Sequence, residues 1–167
     1  MYIQSHYFDF NNMKKILKIA AIVLFSIFVI VQLIRPERIN PSIVDAEILE
    51  SSIEVPEKVS QILARSCNDC HTNNTRYPWY SNVTPFNWFL VRHIEEGRRE
   101  LNFSKWNTYD KSRQRRKLGD ICEQITDRQM PLPSYLWIHS EARLSAEDVK
   151  VLCDWTDVEI KRLAENQ

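Results

Sequence analysis

Glycine is almost absent from this sequence. Only two glycines, Gly97 and Gly119, occur among 167 residues, and few stretches alternate apolar with polar residues. Sheet proteins usually show such alternation, interrupted by glycine-containing turns. Several segments instead repeat apolar residues every three or four positions, which is the spacing of one face of an α-helix. The sequence therefore predicts an all-α domain.

An excess of charge of either sign is also lacking. The chain has 22 lysines and arginines and 22 aspartates and glutamates, so its net charge is zero. Nucleic-acid-binding domains usually carry a strongly basic face, and we expect no nucleic-acid partner. The sequence contains no Ser-His-Asp set, phosphate-binding loop or paired-carboxylate pattern. It therefore offers no catalytic signature, and whether the protein is an enzyme stays open.

Cysteine is scarce, but two of the four cysteines stand in a distinctive pattern. Residues 67–71 read Cys-Asn-Asp-Cys-His, the CxxCH motif to which c-type haem is attached. The two thiols can form thioether bonds with the haem vinyl groups, and the histidine is placed to bind the iron. We predict one covalent haem c, held by Cys67 and Cys70, with His71 as the proximal iron ligand. Asp69, inside the motif, is expected to face solvent.

Two other interpretations of the motif are weaker. A structural zinc site needs four ligands, usually from two cysteine pairs, whereas Cys122 and Cys153 stand alone and far apart. A thioredoxin-like redox pair expects a strand before CxxC, whereas residues 56–66 have the pattern of an amphipathic helix. Cys122 and Cys153 each fall on the inward side of a predicted helix. The sequence leaves two possibilities for them: a disulfide between the two helices, or two buried free thiols.

A long apolar run, residues 16–34, lies near the N-terminus and is preceded by Lys14 and Lys15. Such a run is either a signal peptide or a membrane span. No small-residue cleavage site follows it, so we favour an uncleaved transmembrane anchor over residues 14–35. The lysines place residues 1–13 in the cytoplasm, which sends the haem motif to the periplasmic side of the inner membrane. Met13 begins a stretch that is typical of an export signal, and we expect that translation starts at this methionine.

The remaining chain divides into a linker, residues 36–54, and a haem-binding domain, residues 55–167. A short helix is expected at 43–51 within the linker. Helices are predicted at 56–66, from the Thr84-Pro85 pair to about Gly97, at about 109–126, and after Ser145. Residues 72–84 and 127–144 are expected to be loops. Asp148, three residues after Ser145, resembles the second member of a capping box.

A haem that transfers electrons commonly has ligands on both faces of the iron. Met130 is the candidate for the distal ligand, since the loop Met130-Pro131-Leu132-Pro133 would be stiff. A methionine that only fills the core is the alternative. His139, in the same loop, and His93, within a helix, are the other candidate ligands. Met1, His6 and Met13 lie on the wrong side of the predicted span.

Several stretches besides the haem motif match a family pattern. They are residues 75–80, 97–106, 130–135 and 139–145, followed by the helix that contains Trp155. Over about residues 55–160 the chain resembles the bacterial haem-binding domain family of small cytochrome c-like proteins. The resemblance implies a cytochrome c-like helical fold with the haem between the first and last helices. It also implies a Met-Pro pair before the last helix as distal ligand, which corresponds to Met130.

The sequence thus predicts a membrane-anchored mono-haem c-type cytochrome that transfers single electrons to redox partner proteins in the periplasm. The alternative is a peroxidase-like haem enzyme or a gas or redox sensor with an open distal site, in which His93 or His139 acts beside the iron. Basic residues cluster on two predicted helices. They form either ordinary solvated helix faces or a site that binds an acidic partner protein or the haem propionates. They are Arg92, Arg98, Arg99, Arg113, Arg115, Arg116 and Lys117.

Overall fold

The computed structural model of the protein describes residues 10–165, and helices are its regular elements. The α-helices are α1 (Phe10–Val31), α2 (Glu57–Ser66), α3 (Asn68–His71), α4 (Phe86–Glu100), α5 (Lys111–Thr126) and α6 (Ala146–Glu165). Short 3-10 helices cover Leu49–Ser51, Trp79–Asn82, Phe103–Thr108, Tyr135–Trp137 and Ser140–Ala142. No strand occurs between residues 10 and 165. The predicted all-α fold is confirmed.

Met1 and His6 lie outside the described residues, as does most of the predicted cytoplasmic segment 1–13.

The chain forms two compact units. The first contains the described residues up to Glu37 together with Trp79–Leu90. The second contains Arg38–Pro78 and the described residues from Val91 onward. The CxxCH motif and all three candidate distal ligands belong to the second unit.

Helix α1 occupies most of the segment predicted to span a membrane. Across residues 10–165, no helix has both the length and the apolar character that a membrane crossing requires. The reason lies in the placement of charge: Lys14, Lys15 and Lys18 all lie within α1, and the helix ends at Val31. Its uncharged part, residues 19–31, is shorter than the ~20 apolar residues that a span needs. The predicted transmembrane helix is therefore not supported.

The core of the second unit is formed by one face of each of its longer helices. Helices α5 and α6 pack against each other, and α2 packs against α6. The buried apolar side chains of this core include Val59, Ile62 and Leu63 of α2, Leu118, Ile121 and Ile125 of α5, and Leu152, Trp155 and Leu163 of α6. The positions follow the three-to-four-residue spacing on which the helices were predicted.

The segment predicted as a linker contributes to this core. Leu49 and Ile53 are almost fully buried in it, and the indole nitrogen of Trp155 donates a hydrogen bond to the carbonyl oxygen of Glu54, 3.0 Å away. A flexible tether would expose such residues. The packed part of the chain therefore begins before residue 55. Of the short helix expected at 43–51, only the 3-10 turn Leu49–Ser51 forms.

The last helix begins with a reciprocal cap. The Ser145 hydroxyl accepts a hydrogen bond from the backbone nitrogen of Asp148, and the Asp148 carboxylate accepts one from the backbone nitrogen of Ser145. The predicted capping box is confirmed, with aspartate in the position usually held by glutamate. Arg65 of α2 also donates to that carboxylate, at 2.9 Å. The cap thus joins the start of α6 to α2.

The two isolated cysteines form a disulfide. Cys122 of α5 and Cys153 of α6 are bonded across the helix pair. Of the two possibilities that the sequence leaves open, the structure contains the bridge.

Candidate haem-attachment site

The CxxCH motif occupies a single turn at the junction of α2 and α3. The backbone nitrogens of Cys70 and His71 both donate hydrogen bonds to the carbonyl oxygen of Cys67, at 3.1 and 3.0 Å. All three side chains are half-buried. The turn therefore brings Cys67, Cys70 and His71 onto one short stretch of backbone, as attachment of a haem through two cysteines and binding by one histidine require.

The imidazole of His71 is held in one orientation. Its Nδ1 lies 2.9 Å from the carbonyl oxygen of Leu101. Because a carbonyl only accepts, Nδ1 must carry the proton, and the lone pair of Nε2 is left for a metal. Burial lowers the pKa of His71 and so favours the neutral form that a metal ligand needs. The ring of Phe103 packs against the imidazole, with the ring centres 6.2 Å apart.

Helix α4 passes close to the motif at Gly97. A Cβ atom at position 97 would lie 3.0 Å from the carbonyl oxygen of Cys70 and 3.3 Å from its Cβ. Both contacts involve rigid parts of the motif, so only glycine permits this approach without a shift. The sequence offered no direct signal for this role beyond the rarity of glycine itself.

The two thiols do not have the character of a redox-active pair. Burial raises the pKa of Cys67 to about 12 and that of Cys70 to about 11. Redox-active cysteines show the opposite shift, since their chemistry needs a thiolate. Among the described residues, no three histidine, cysteine, aspartate or glutamate side chains cluster as a metal site. The direction of these pKa shifts therefore argues against the thiol-redox interpretation.

Asp69, in the middle of the motif, does not face solvent as expected. Its side chain is only 22 % exposed and forms an ion pair with Arg76. One carboxylate oxygen accepts from Arg76 Nε at 3.2 Å, and the other accepts from the Tyr135 hydroxyl at 3.3 Å. The hydroxyl of Thr75 donates to the backbone oxygen of Asp69 at 2.6 Å. The motif is thus joined to the loop that follows Met130.

Arg98 fixes the segment that follows the motif. Its guanidinium donates to the backbone oxygens of Thr72 and Ile39, both at 2.8 Å. It also donates to the side chains of Asn40 and Thr75, both at 2.9 Å. Sequence reasoning grouped Arg98 with solvated or docking cations. The structure instead gives it a role in holding residues 39–40 and 72–75 together.

The three candidate distal ligands have different surroundings. Met130 is partly buried and packs against the core. The ring of His139 is stacked on Tyr135, with ring centres 4.2 Å apart, and its Nδ1 lies 3.2 Å from a carboxylate oxygen of Glu141. His93 lies half-buried on α4. The assignment of Met130 as the distal ligand stays a prediction.

Comparison with known proteins agrees with this geometry. The sequence model of a family described as "Haem-binding domain" matches residues 26–158, which is most of the chain. No curated protein and no solved structure matches the chain.

Proposed function

The chain belongs to the haem-binding domain family, and from this premise we propose that it is a mono-haem c-type cytochrome that transfers single electrons. Haem binding itself follows from the family. The covalent attachment, the number of haems and the electron-transfer role are our proposal.

The observation that carries the proposal is the fixed imidazole of His71. A histidine that binds a metal through one ring nitrogen almost always donates its other N–H to a carbonyl or carboxylate. His71 makes this contact with Leu101, directly beside the two cysteines of a CxxCH motif. The residues present therefore fit a haem attached through thioethers and bound from one face by Nε2.

Each residue of the site has a defined role in this proposal. Cys67 and Cys70 would hold the haem, and His71 and Met130 would bind its iron. When bound, the haem supplies a metal centre that accepts and releases one electron. A Met/His pair of axial ligands gives a higher reduction potential than many other pairs. The contact of Gly97 with Cys70 keeps the motif packed on α4.

Two features support an exported protein attached to the cytoplasmic membrane. The Cys122–Cys153 disulfide is of the kind that persists in oxidising compartments. Helix α1 carries Lys14, Lys15 and Lys18 in its N-terminal half and is apolar after them, which is the charge placement of an export segment. We propose that α1 attaches the protein to the membrane with the haem domain in the periplasm. Attachment would raise the effective concentration of the domain near membrane-bound redox partners.

The substitution Met130→Ala tests the electron-transfer proposal. If Met130 binds the iron, the ferric absorption spectrum of the variant becomes high-spin and its reduction potential falls, because the thioether ligand is lost. His139→Ala and His93→Ala are the matched controls, and both should keep the wild-type spectrum. An unchanged spectrum in Met130→Ala would contradict the ligand assignment and favour an enzyme or sensor with a different distal site.

A further inference from the structure

The segment Trp79–Leu90 is fixed to the end of α1 by three hydrogen bonds. The side chain of Gln32 donates to the backbone oxygen of Thr84 at 3.1 Å and accepts from its backbone nitrogen at 2.9 Å. The indole nitrogen of Trp88 donates to the backbone oxygen of Ile34, also at 2.9 Å. These bonds make the segment and the C-terminal end of α1 one structural piece.

This segment exposes several large aromatic side chains. Trp79 is 75 % exposed, Phe86 57 % and Phe89 55 %. A single exposed apolar residue is ordinary, but three exposed aromatics within eleven residues of sequence concentrate apolar surface in one short segment, as interaction sites do. Arg35 is exposed at the same end of α1, and its Nε donates to the backbone oxygen of Gln32 at 3.1 Å.

The exposed apolar surface continues along α1. The exposed large side chains include Ile22, Val23, Leu24, Phe25, Ile27, Phe28, Val29 and Ile30. These positions cover more than two helical turns, so apolar side chains point outward on every side of the helix. A groove on a protein partner covers one face of a helix, whereas lipid can cover its whole circumference.

We propose that the aromatic segment Trp79–Leu90 and the C-terminal end of α1 lie together in the interfacial region of a phospholipid bilayer. Tryptophan prefers this region because its ring is apolar and its N–H is polar. An arginine there can keep its stem among apolar groups and its charge among the phosphates. The inference rests on the proposed attachment of α1 to the membrane, and it does not require α1 to cross it.

Spin labelling of the full-length haem-loaded protein tests this inference. Nitroxide labels are placed on Trp79→Cys and, as the matched control, on Trp137→Cys. Trp137 is 85 % exposed and belongs to the other compact unit. The probe is a vesicle of phosphatidylcholine and phosphatidylglycerol. The measurement is the collision rate of each label with oxygen, which concentrates in lipid, relative to a water-soluble nickel chelate.

The inference predicts that vesicles raise the oxygen-to-nickel ratio at position 79 and leave the ratio at position 137 unchanged. If the protein sediments with the vesicles but the ratio at position 79 does not rise, the inference is wrong and membrane attachment stands. If the protein does not sediment with the vesicles, both the inference and the proposed attachment fail.

Discussion

At position 97, the lack of a side chain decides how closely α4 approaches the haem motif. A Cβ at position 97 would lie 3.0 Å from the backbone oxygen and 3.3 Å from the Cβ of Cys70, so tightly that the neighbours would have to shift by a few tenths of an ångström. His71 depends on the same helix, since its Nδ1 donates to Leu101 just beyond the end of α4. A displacement of α4 would therefore move both Cys70 and the carbonyl that orients His71.

The substitution Gly97→Ala should lower the free energy of unfolding by about 0–2 kcal/mol, because the overpacking of a close contact costs ~1–3 kcal/mol and the helix propensity of alanine returns ~1 kcal/mol of it. It should also reduce the yield of haem-loaded protein. Urea unfolding and the ratio of haem absorbance to protein absorbance measure the two effects.

Gly119→Ala is the matched control, since a Cβ there meets nothing within 4 Å. Within α5 it should raise stability by roughly 0.5–1 kcal/mol through helix propensity. Equal responses of the two variants would contradict the account of Gly97.

At the residue scale, CxxCH alone predicts Cys67, Cys70 and His71 as the haem-attachment residues, and this assignment stays a prediction. The carbonyl of Leu101 has no side-chain signature, because any residue could supply it. Asp69 was expected to face solvent, and its burial was not predictable, because its contact with Tyr135 depends on how a loop 66 residues further along the chain folds back.

Among the helices, α6 shows most clearly how a short sequence pattern fixes an end. Asp148 accepts hydrogen bonds from the backbone and hydroxyl of Ser145 and from Arg65. Burial alone would raise the pKa of Asp148, but the hydrogen bonds from Ser145 and the charge of Arg65 outweigh it, and the pKa lies below its usual value. The ionised carboxylate therefore stabilises the folded state.

A lowered pKa in the folded state gives a defined pH dependence. The stabilisation by Asp148 is complete above the unfolded-state pKa, ~3.9, and is lost as pH falls through the lower folded-state pKa. Asp148→Asn should therefore cost about 1–2 kcal/mol of unfolding free energy at pH 7. The difference from wild type should shrink below about pH 4. Urea unfolding of both proteins at pH 7 and at pH 3 measures this difference in unfolding free energy.

Glu147→Gln provides the control for this prediction, since Glu147 is exposed and its contact with Lys58 is 4.0 Å long. Its effect should stay within about 0.5 kcal/mol. A deficit in Asp148→Asn that is the same at pH 7 and at pH 3 would show that the carboxylate charge is not the cause.

At this scale the sequence predicted helix positions well where the apolar spacing is regular. Helix α2 matches the predicted 56–66 closely, and α5 begins two residues after the predicted 109. The segment 36–54 was predicted to be a linker, because its apolar residues, Leu49 and Ile53 among them, cover only a short stretch interrupted by prolines and charges. Tertiary packing buries them in the core, where the turn Leu49–Ser51 lies against the 3-10 helix Phe103–Thr108.

At the scale of the whole molecule, the Cys122–Cys153 bridge joins the two longest helices of the second unit over a separation of 31 residues. Such a loop closure restricts the unfolded chain and stabilises the folded state by about 3–4 kcal/mol. Cys122→Ser/Cys153→Ser should lose stability of this order in urea unfolding. A reducing agent should destabilise the wild type and leave the double variant unaffected. Equal stability of the two proteins would contradict the structural role of the bridge.

The organisation of the whole chain was the part least accessible from the sequence. The all-α class follows from the near absence of glycine and the helical spacing. The division into two units does not follow from the sequence, because residues 79–90 join the N-terminal helix through the contacts of Gln32 and Trp88. These hydrogen bonds link positions more than fifty residues apart, and no local sequence pattern predicts them.

A haem stain on a denaturing gel tests the central claim most directly. The protein is expressed with the c-type maturation machinery, beside Cys67→Ala/Cys70→Ala and, as the matched control, Cys122→Ala/Cys153→Ala. Because thioether bonds survive denaturation, we expect stained bands for the wild type and the control and none for Cys67→Ala/Cys70→Ala. An unstained wild-type band, or a stain that survives loss of Cys67 and Cys70, would contradict covalent haem attachment at this motif.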